Sequence, residues 1–431
     1  MEDKYGGALA VIGVHSAKFP AEKVTENIRQ AAARNRLRHP IANDASFRIW
    51  RAYGIHAWPT LVLIDPEGRL VGQAAGEGNF EALDQAIGQL VRGGKVAPDP
   101  RIQVQVRPEG GELRYPGKIA VGGEPASLFV SDTGHHRVLR CGLDGAVLTA
   151  YGSGERGFAD GPAPQARFDS PQGLWAEGGT LYVADTENHA IRAVDLAQGT
   201  VSTLAGTGKQ ARWGARGGKG KDAALNSPWD VLVRGHDLVV AMAGSHQVWR
   251  MDLASGGIRP WIGNGRENIL DGPAGTAELA QPSGLALQGD VLTIADSESS
   301  GVRAFDLGSE TLRTLVGTGL FDFGDAEGGG GNVLQHPLAV LADGKELIVA
   351  DTYNHRLKRL DPATGRVRFW LGTGKAGYAD GRQPAFFEPS GLALHEGKLY
   401  VADTNNHRVR VVDLKTGETS TLAITRKAVA S

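Results

Sequence analysis

The stretch Leu399–Leu414 reads L-Y-V-A-D-T-N-N-H-R-V-R-V-V-D-L, two short alternating apolar runs that are joined by a tight polar turn. This pattern is typical of a β-hairpin. The text returns as L-Y-V-A-D-T-E-N-H-A-I-R-A-V-D-L at Leu181–Leu196 and as L-I-V-A-D-T-Y-N-H-R-L-K-R-L at Leu347–Leu360. Looser copies begin at Leu128, Leu238 and Leu292. The chain is therefore a repeat protein for most of its length.

The spacing of the copies predicts the fold. The residues that end the second strand of each copy are Asp132, Asp185, Met242, Asp296, Asp351 and Asp403, and they are 53, 57, 54, 55 and 52 residues apart. Each unit carries four short strand patterns and no helical stretch between units. Such units form β-propellers rather than helical solenoids. We predict an all-β six-bladed propeller over residues 114–425.

The residues before the repeats have a different pattern, in which strands and helices alternate over residues 1–94. Ala8–Val14 is a continuous apolar run, as expected for a strand that is covered on both faces. A helical pattern lies within Pro20–Leu37, and the hairpin text A-W-P-T-L-V-L-I-D-P-E-G-R-L-V-G follows. Asn79 is predicted to cap a last helix that ends at Val91. We expect an α/β domain here.

Residues 95–113 separate the two regions. Their first part contains two prolines and no periodicity, which indicates a linker. Ile102–Val106 (I-Q-V-Q-V) then alternates strictly, so it is a candidate for an added strand at the edge of the repeat domain.

Both regions resemble known families. A-V-I-G-V-H-S, A-W-P-T with Pro59 at the position of a cis-proline, and the hairpin after it resemble the TlpA-like branch of the thioredoxin-like fold. D-T-x-N-H-R with P-x-G-L before the next unit resembles the NHL repeat. The order of the two domains resembles the NHL-repeat-containing protein 2-like family. The resemblance implies a thiol–disulfide oxidoreductase with a C-x-x-C pair on an earlier strand. We expect that pair and a central strand to be missing, which leaves an incomplete, truncated thioredoxin-like domain.

Composition excludes several kinds of function. Cys141 is the only cysteine, so the chain contains neither a redox pair nor a thiolate zinc site. The formal net charge of −2 gives no reason to expect nucleic acid or an anionic membrane as a partner. The chain shows neither an apolar run of membrane-spanning length nor a signal-peptide pattern at its start. We expect a cytoplasmic protein without a cofactor.

Five units have a histidine four residues after the position of the repeated aspartate, and these acids and histidines have two interpretations. They could bind a metal ion, or they could build the same turn in every blade. Aspartate commonly accepts hydrogen bonds from the backbone of its own turn, and the histidine would close that turn. We favour the structural role and expect no metal, because a catalytic group should interrupt the repeat.

The interruptions are the better candidates for a binding site. Met242 replaces the aspartate in the third unit, and the segment before that unit reads K-Q-A-R-W-G-A-R-G-G-K-G-K over Lys209–Lys221. Its cations suggest an anion or acidic-peptide site with Trp213 as an apolar anchor. The alternative is a solvated loop. The predicted binding residues in this segment are Lys209, Arg212, Trp213, Arg216, Lys219 and Lys221.

The first domain offers a second candidate. His15, Trp58 and Pro59 would lie near the missing redox site if the resemblance holds, as a remnant of a peptide-docking loop. The alternative is a turn that is kept for packing.

The sequence thus predicts a non-catalytic binding or scaffold protein. Its protein or peptide partner would dock on the propeller face that carries the long loops, the top face, or in a groove between the domains. Two alternatives stay open: a TlpA-like thiol–disulfide oxidoreductase whose cysteines are missing from this chain, and a metal-dependent propeller hydrolase or lyase.

Overall fold

A computed structural model describes residues 1–76, 78–93, 111–329 and 331–426. The chain divides into two compact units, Met1–Pro108 and Glu109–Ser431. The candidate strand Ile102–Val106 lies outside the described residues, so it stays a prediction.

The first unit alternates helices and strands. Its helices are α1 Glu2–Tyr5, α2 Thr25–Arg34, α3 Arg48–Ala52 and α4 Phe80–Arg92, and single 3-10 turns lie at Gly6–Ala8 and Ala21–Lys23. Its strands are β1 Gly13–His15, β2 Ile41–Asn43, β3 Thr60–Ile64 and β4 Leu70–Ala75. β1 pairs with β2 in parallel, and β3 pairs with β4 in antiparallel. Among the described residues these strands form two separate two-stranded sheets.

One local prediction for this unit is wrong, and a second is right in position only, because Asn79 is the N-cap residue of α4 but its side chain does not cap the helix. The strand expected at Ala8–Val14 is only three residues long, because β2 pairs with no more than Gly13–His15. The Asn79 side chain donates to the carbonyls of Ala75 and Gly76 instead of accepting from the first turn of α4. Asn79 therefore stabilises the turn between β4 and α4.

The second unit contains six antiparallel blades, as predicted. Blade 1 contains β5 Pro116–Gly122, β6 Ser127–Asp132, β7 Arg137–Cys141 and β8 Ala146–Tyr151. Blade 2 contains β9 Gly161–Pro162, β10 Pro171–Glu177, β11 Thr180–Asp185, β12 Ala190–Asp195 and β13 Thr200–Ala205. Blade 3 contains β14 Gly218–Lys219, β15 Pro228–Arg234, β16 Asp237–Met242, β17 Gln247–Asp252 and β18 Gly257–Ile262.

The other three blades repeat this plan. Blade 4 contains β19 Gly272–Pro273, β20 Pro282–Gln288, β21 Val291–Asp296, β22 Gly301–Asp306 and β23 Thr311–Val316. Blade 5 contains β24 Gly328–Gly329, β25 Ala339–Asp343, β26 Glu346–Asp351, β27 Arg356–Asp361 and β28 Arg366–Leu371. Blade 6 contains β29 Pro389–His395, β30 Lys398–Asp403, β31 Arg408–Asp413 and β32 Thr419–Leu422.

The outer edges of the blades differ from the four-strand prediction. In blades 2 to 5 a two-residue strand from the incoming link (the chain between one blade's last strand and the next blade's first long strand) pairs with the outermost long strand. In blade 1 this place is taken by the last strand, β33 Thr425–Arg426, which runs parallel to β8. These additions cover strand edges that would otherwise offer unpaired backbone groups.

Hydrogen bonds between blades 6 and 1 close the ring. The Thr404 hydroxyl donates to the carbonyl of Pro116 (2.9 Å), and the Ser390 hydroxyl donates to that of Gly117 (2.7 Å). The propeller is therefore a closed wheel and not an open array.

The turns between second and third strands share one face with the links. In blade 2 the Asn188 side chain of that turn donates to the carbonyl of Gly157 in the incoming link (2.7 Å). The backbone N–H of Glu187 donates to the carbonyl of Asp169 in the same link (3.1 Å). This arrangement confirms the predicted top face, which we define by these turns and links.

Candidate functional site

The repeated aspartates are buried and fully engaged. In blade 6, Asp403 accepts from the Arg410 guanidinium (2.7 Å) and the Asn406 amide (2.9 Å), and its other oxygen accepts from the Phe387 N–H (2.7 Å). Asp185, Asp296 and Asp351 bind an arginine or lysine seven residues on in the same way. Burial raises the pKa of Asp403 to about 6, so the pair with Arg410 is still ionised at neutral pH.

These contacts support a structural role for the repeated aspartates, but the hydrogen-bond partners differ from those expected. The backbone N–H that Asp403 accepts belongs to Phe387, which lies 16 residues earlier in the incoming link. The expected hydrogen bond from the backbone of the aspartate's own turn is replaced by this bond from the link, while the turn contributes the Asn406 side chain. The aspartate therefore joins the turn to the link on the top face.

The histidines connect neighbouring blades. His355 has φ 55°, and its backbone N–H closes the turn onto the carbonyl of Thr352, as predicted. Its side chain goes further, because Nδ1 accepts the backbone N–H of Glu388 in the next link (3.2 Å). His407 does the same for Tyr115 (3.0 Å) across the closure of the ring. Burial lowers the pKa of both histidines to about 4, so both are neutral acceptors.

Blade 3 lacks this ionic network altogether. Met242 stands in place of the aspartate, Trp249 in place of the arginine seven residues on, and Gly217 in place of the acid found in other links, such as Asp160. The three changes belong together, because a buried charge that keeps no partner is strongly destabilising. Met242 and Trp249 are both fully buried in one apolar cluster. The prediction that Met242 binds a partner is therefore corrected, since its side chain does not reach the surface.

The cationic link of blade 3, Lys209–Lys221, is divided between two places. Its first half lies on the top face, where the Gln210 amide donates to Asn226 and the Asn226 amide donates to the carbonyl of Gly244 in the turn. Trp213 lies in this half with 85% of its surface exposed. Lys209, Arg212 and Arg216 of the same half are also exposed.

The second half of the link lies at the outer edge of the wheel. Lys219 belongs to β14 and pairs with Gly257 at the start of β18. The Lys221 ammonium donates to Asp160 of the blade 2 link (2.7 Å). The link therefore divides the six predicted residues, with Lys219 in the outer strand of blade 3 and Lys221 at the contact between blades 2 and 3.

The cations in the first half have no local counter-charge. Within the described residues, Lys209, Arg212 and Arg216 form no ion pair with a carboxylate, although Lys221 does. The top-face patch formed by Lys209, Arg212, Trp213 and Arg216 is called the Trp213 patch below.

The first unit brings its three candidate residues together. His15 ends β1, and the Trp58 indole donates to the carbonyl of the next residue, Ser16 (2.8 Å). The Trp58–Pro59 peptide bond is cis, as expected. Sequence reasoning missed Trp50, whose ring centroid lies 4.4 Å from that of Trp58, although the F-x-x-W spacing at residues 47–50 was a signal.

The thiol of Cys141 and the distribution of possible metal ligands bear on the two enzymatic alternatives, an oxidoreductase and a metal-dependent hydrolase or lyase. Cys141 is buried, and burial raises the pKa of its thiol to about 12. Among the described residues, no group of three or more His, Cys, Asp or Glu is arranged to hold a metal ion. No helix in the described ranges is long and apolar enough to cross a membrane.

Comparisons with known proteins agree with the repeat pattern. The family model for the NHL repeat matches residues 386–412, the segment that carries Asp403 and His407. The chain belongs to the family of NHL-repeat proteins. The recurring acids and histidines are thus features of the NHL repeat in this chain, whereas Met242 and the Trp213 patch depart from it.

Three curated relatives match nearly the whole chain. Protein SUPPRESSOR OF QUENCHING 1, chloroplastic, from Arabidopsis thaliana is 42% identical over 97% of this chain and 43% of its own length. NHL repeat-containing protein 2 from Gallus gallus and from Homo sapiens are each 39% identical over 98% of this chain and 64% of their own length. The chain therefore spans between two fifths and two thirds of these relatives. Since one relative is named chloroplastic, a cytoplasmic location for this chain stays a prediction.

Proposed function

We propose that this chain is a non-catalytic binding or scaffold protein, and that the Trp213 patch is where its propeller contacts a protein or peptide partner. The observation that carries the proposal is an 85% exposed tryptophan in a stretch with three exposed cations that form no ion pair with a carboxylate of the described residues. Tryptophan and arginine are the residues most enriched among those that dominate protein–protein binding energy.

The chemistry of the patch indicates an acidic partner segment with an apolar residue. Arg212 and Arg216 offer planar guanidinium groups, which bind carboxylates through two parallel hydrogen bonds. The Trp213 ring would cover an apolar side chain of the partner, and the surrounding cations would provide the polar rim.

The neighbourhood of the patch supports this assignment. In blade 6 the cation of the third strand is used by the repeat itself, because Arg410 binds both Asp403 and Asp380. Blade 3 has lost that network at Met242 and Trp249. Lys209, Arg212 and Arg216 of its link form no ion pair in the part of the chain that the structure describes, so a partner can bind their charges without breaking a contact of the repeat.

A peptide-display selection on the full chain tests the proposal. We expect the recovered peptides to be rich in Asp and Glu around one or two apolar residues. Trp213→Ala should weaken the best peptide roughly 30-fold or more in fluorescence anisotropy. Raising the salt concentration should weaken the same peptide further, because the charged groups are exposed.

A matched charge reversal provides the control. Arg212→Glu/Arg216→Glu should abolish binding, whereas Lys398→Glu/Lys415→Glu makes the same charge change at two exposed lysines of blade 6 and should leave it intact. The proposal is wrong if both double variants bind equally, or if the selection yields no acidic peptides.

We further propose that the first unit is a thioredoxin-like domain without redox activity in this chain. The parallel pair β1–β2, the hairpin β3–β4 and the cis bond before Pro59 support the assignment. A lone thiol cannot form the internal disulfide that completes a thiol–disulfide exchange, and the thiol of Cys141 is buried. The chain should therefore show no turnover above background in an insulin-reduction assay, and clear turnover would contradict the non-catalytic assignment.

A further inference from the structure

One register position of the innermost strands is small in four blades and charged in two. From blade 1 to blade 6, the residues at this position are Lys118, Gly173, Asp230, Gly284, Ala339 and Gly391. Inner strands approach closely here, since a Cβ atom on Gly391 would lie 2.7 Å from the Cα of Lys118. A Cβ atom on Gly173 would lie 2.5 Å from the Cα of Asp230. The ring is thus narrow at this level, and the two charged side chains, Lys118 and Asp230, occupy it.

Lys118 crosses the centre of the ring. The side chain extends from β5 of blade 1. Its Nζ donates to the carbonyl of Ser283 in blade 4 (2.8 Å) and to that of Leu338 beside blade 5. The same Nζ lies 3.5 Å from Oδ2 of Asp230 in blade 3. Lys118 is only 4% exposed.

The acceptors match the ammonium in number and charge. A lysine ammonium has three N–H donors, and three oxygens from three different blades surround it. The carboxylate of Asp230 is itself fixed, because Oδ2 accepts the Leu285 N–H (3.0 Å) and Oδ1 accepts the Val231 N–H (3.0 Å). Burial lowers the pKa of Lys118 and raises that of Asp230, while their mutual attraction and these hydrogen bonds favour the charged forms.

We propose that the axis of the propeller is a binding site for a primary ammonium group, formed by the Asp230 carboxylate and the Ser283 and Leu338 carbonyls, and that Lys118 is its built-in occupant. Two carbonyls and a carboxylate would also suit a bound cation, and here the side chain provides that cation itself. Lys118 thus connects four of the six blades at the axis of the propeller. Because its side chain fills the axis at this level, we expect a partner to bind elsewhere on the propeller.

Chemical rescue tests this site. Lys118→Ala removes three methylene groups and the ammonium, which together correspond to n-propylammonium. We expect the variant to lose roughly 5 to 10 °C in Tm, because Asp230 is left buried without its partner. Added n-propylammonium should raise the Tm of this variant in a concentration-dependent way, and it should leave the original chain unchanged.

Three controls make the result specific. Tetramethylammonium, which has no N–H donor, should give no rescue. Lys118→Ala/Asp230→Asn, which lacks the carboxylate, should lose the response to n-propylammonium. Lys398→Ala, at an exposed lysine of blade 6, should show neither the loss nor the response.

The proposal fails if n-propylammonium and tetramethylammonium act alike, or if the double variant is rescued as well as the single one. If Lys118→Ala does not fold alone, refolding it with either salt applies the same criterion. Lysine acylation of the original folded chain, read by mass spectrometry, provides an independent measurement. Lys118 should be protected while Lys398 reacts, and acylation of Lys118 in the folded state would also overturn the proposal.

Discussion

At the residue scale, blade 3 replaces the ionic network of the repeat at three positions together. Met242, Trp249 and Gly217 differ together from their counterparts in the other blades, and the result is an apolar cluster. Sequence reasoning noticed Met242 alone, because the arginine position lies seven residues away on the next strand. The accompanying change at Trp249 could be recognised only from the pairing of the two strands.

Blade 6 provides a test of this coupling. Arg410→Met should cost about 3–5 kcal/mol in the free energy of unfolding, because Asp403 stays buried without its guanidinium. Asp403→Met/Arg410→Trp copies blade 3 and should cost less than the single change, although it replaces more atoms. Denaturant titrations of both variants measure the difference, and a double variant that is less stable than Arg410→Met would refute the coupling.

The histidines predict a pH effect with a defined sign. The pKa of His355 is about 4 in the folded chain and about 6.5 when unfolded, so the unfolded state binds more protons between these values. The stability that His355 contributes is complete above pH 6.5 and is lost as the pH falls toward 4, by up to about 3 kcal/mol.

A natural control exists for this effect, because Ser300 takes the place of the histidine in blade 4. The Ser300 hydroxyl accepts the backbone N–H of His336 (3.2 Å). His355→Ser should therefore keep an acceptor that does not titrate. The stability difference between His355→Ser and the original chain should shrink from pH 7 to pH 5 in denaturant titrations. A difference that stays constant, or that grows in favour of the original chain, would contradict this account.

At the scale of elements, the strands were predictable and their edges were not. Alternation and spacing identify the hairpins around Leu399–Leu414 because each one is local in sequence. The short outer strands of blades 2 to 5 are two residues long and pair with chain 37 to 40 residues away, as for Gly161–Pro162 and β13. Such pairings leave no periodic signal, which explains why four strands were expected per blade.

The strand that completes blade 1 can be tested at one glycine. Gly145 has φ +88°, and a Cβ atom there would lie 2.2 Å from the carbonyl oxygen of Ala423, next to β33. Gly145→Ala should displace β33 and increase hydrogen exchange around residues 422–426. Gly199→Ala is the control, because Gly199 has φ +66° in the corresponding turn and open space around it, so its cost should be only about 1 kcal/mol from backbone strain. Equal exchange in both variants would mean that β33 does not depend on this contact.

At the scale of the whole molecule, the number of blades followed from counting repeats, but the hub and the division of the cationic link did not. The contacts of Lys118 join residues that are up to 220 positions apart, and no local pattern announces them. Lys219 and Lys221 lie close to Trp213 in the sequence. The link nevertheless turns to the outer edge of the blade after Trp213, so the two lysines lie apart from it. Features that every repeat shares can be recognised in a single sequence. Contacts between different repeats can be identified only once the fold is known.

The central claim is that the regular blades hold the wheel together while the irregular link of blade 3 meets the partner. Hydrogen–deuterium exchange on the full chain, with and without an acidic peptide recovered by selection, tests it most directly. We predict protection confined to the backbone of residues 209–216, with the aspartate–histidine turns of the other blades unchanged. Protection centred on those repeated turns, or on the opposite face, would contradict the account.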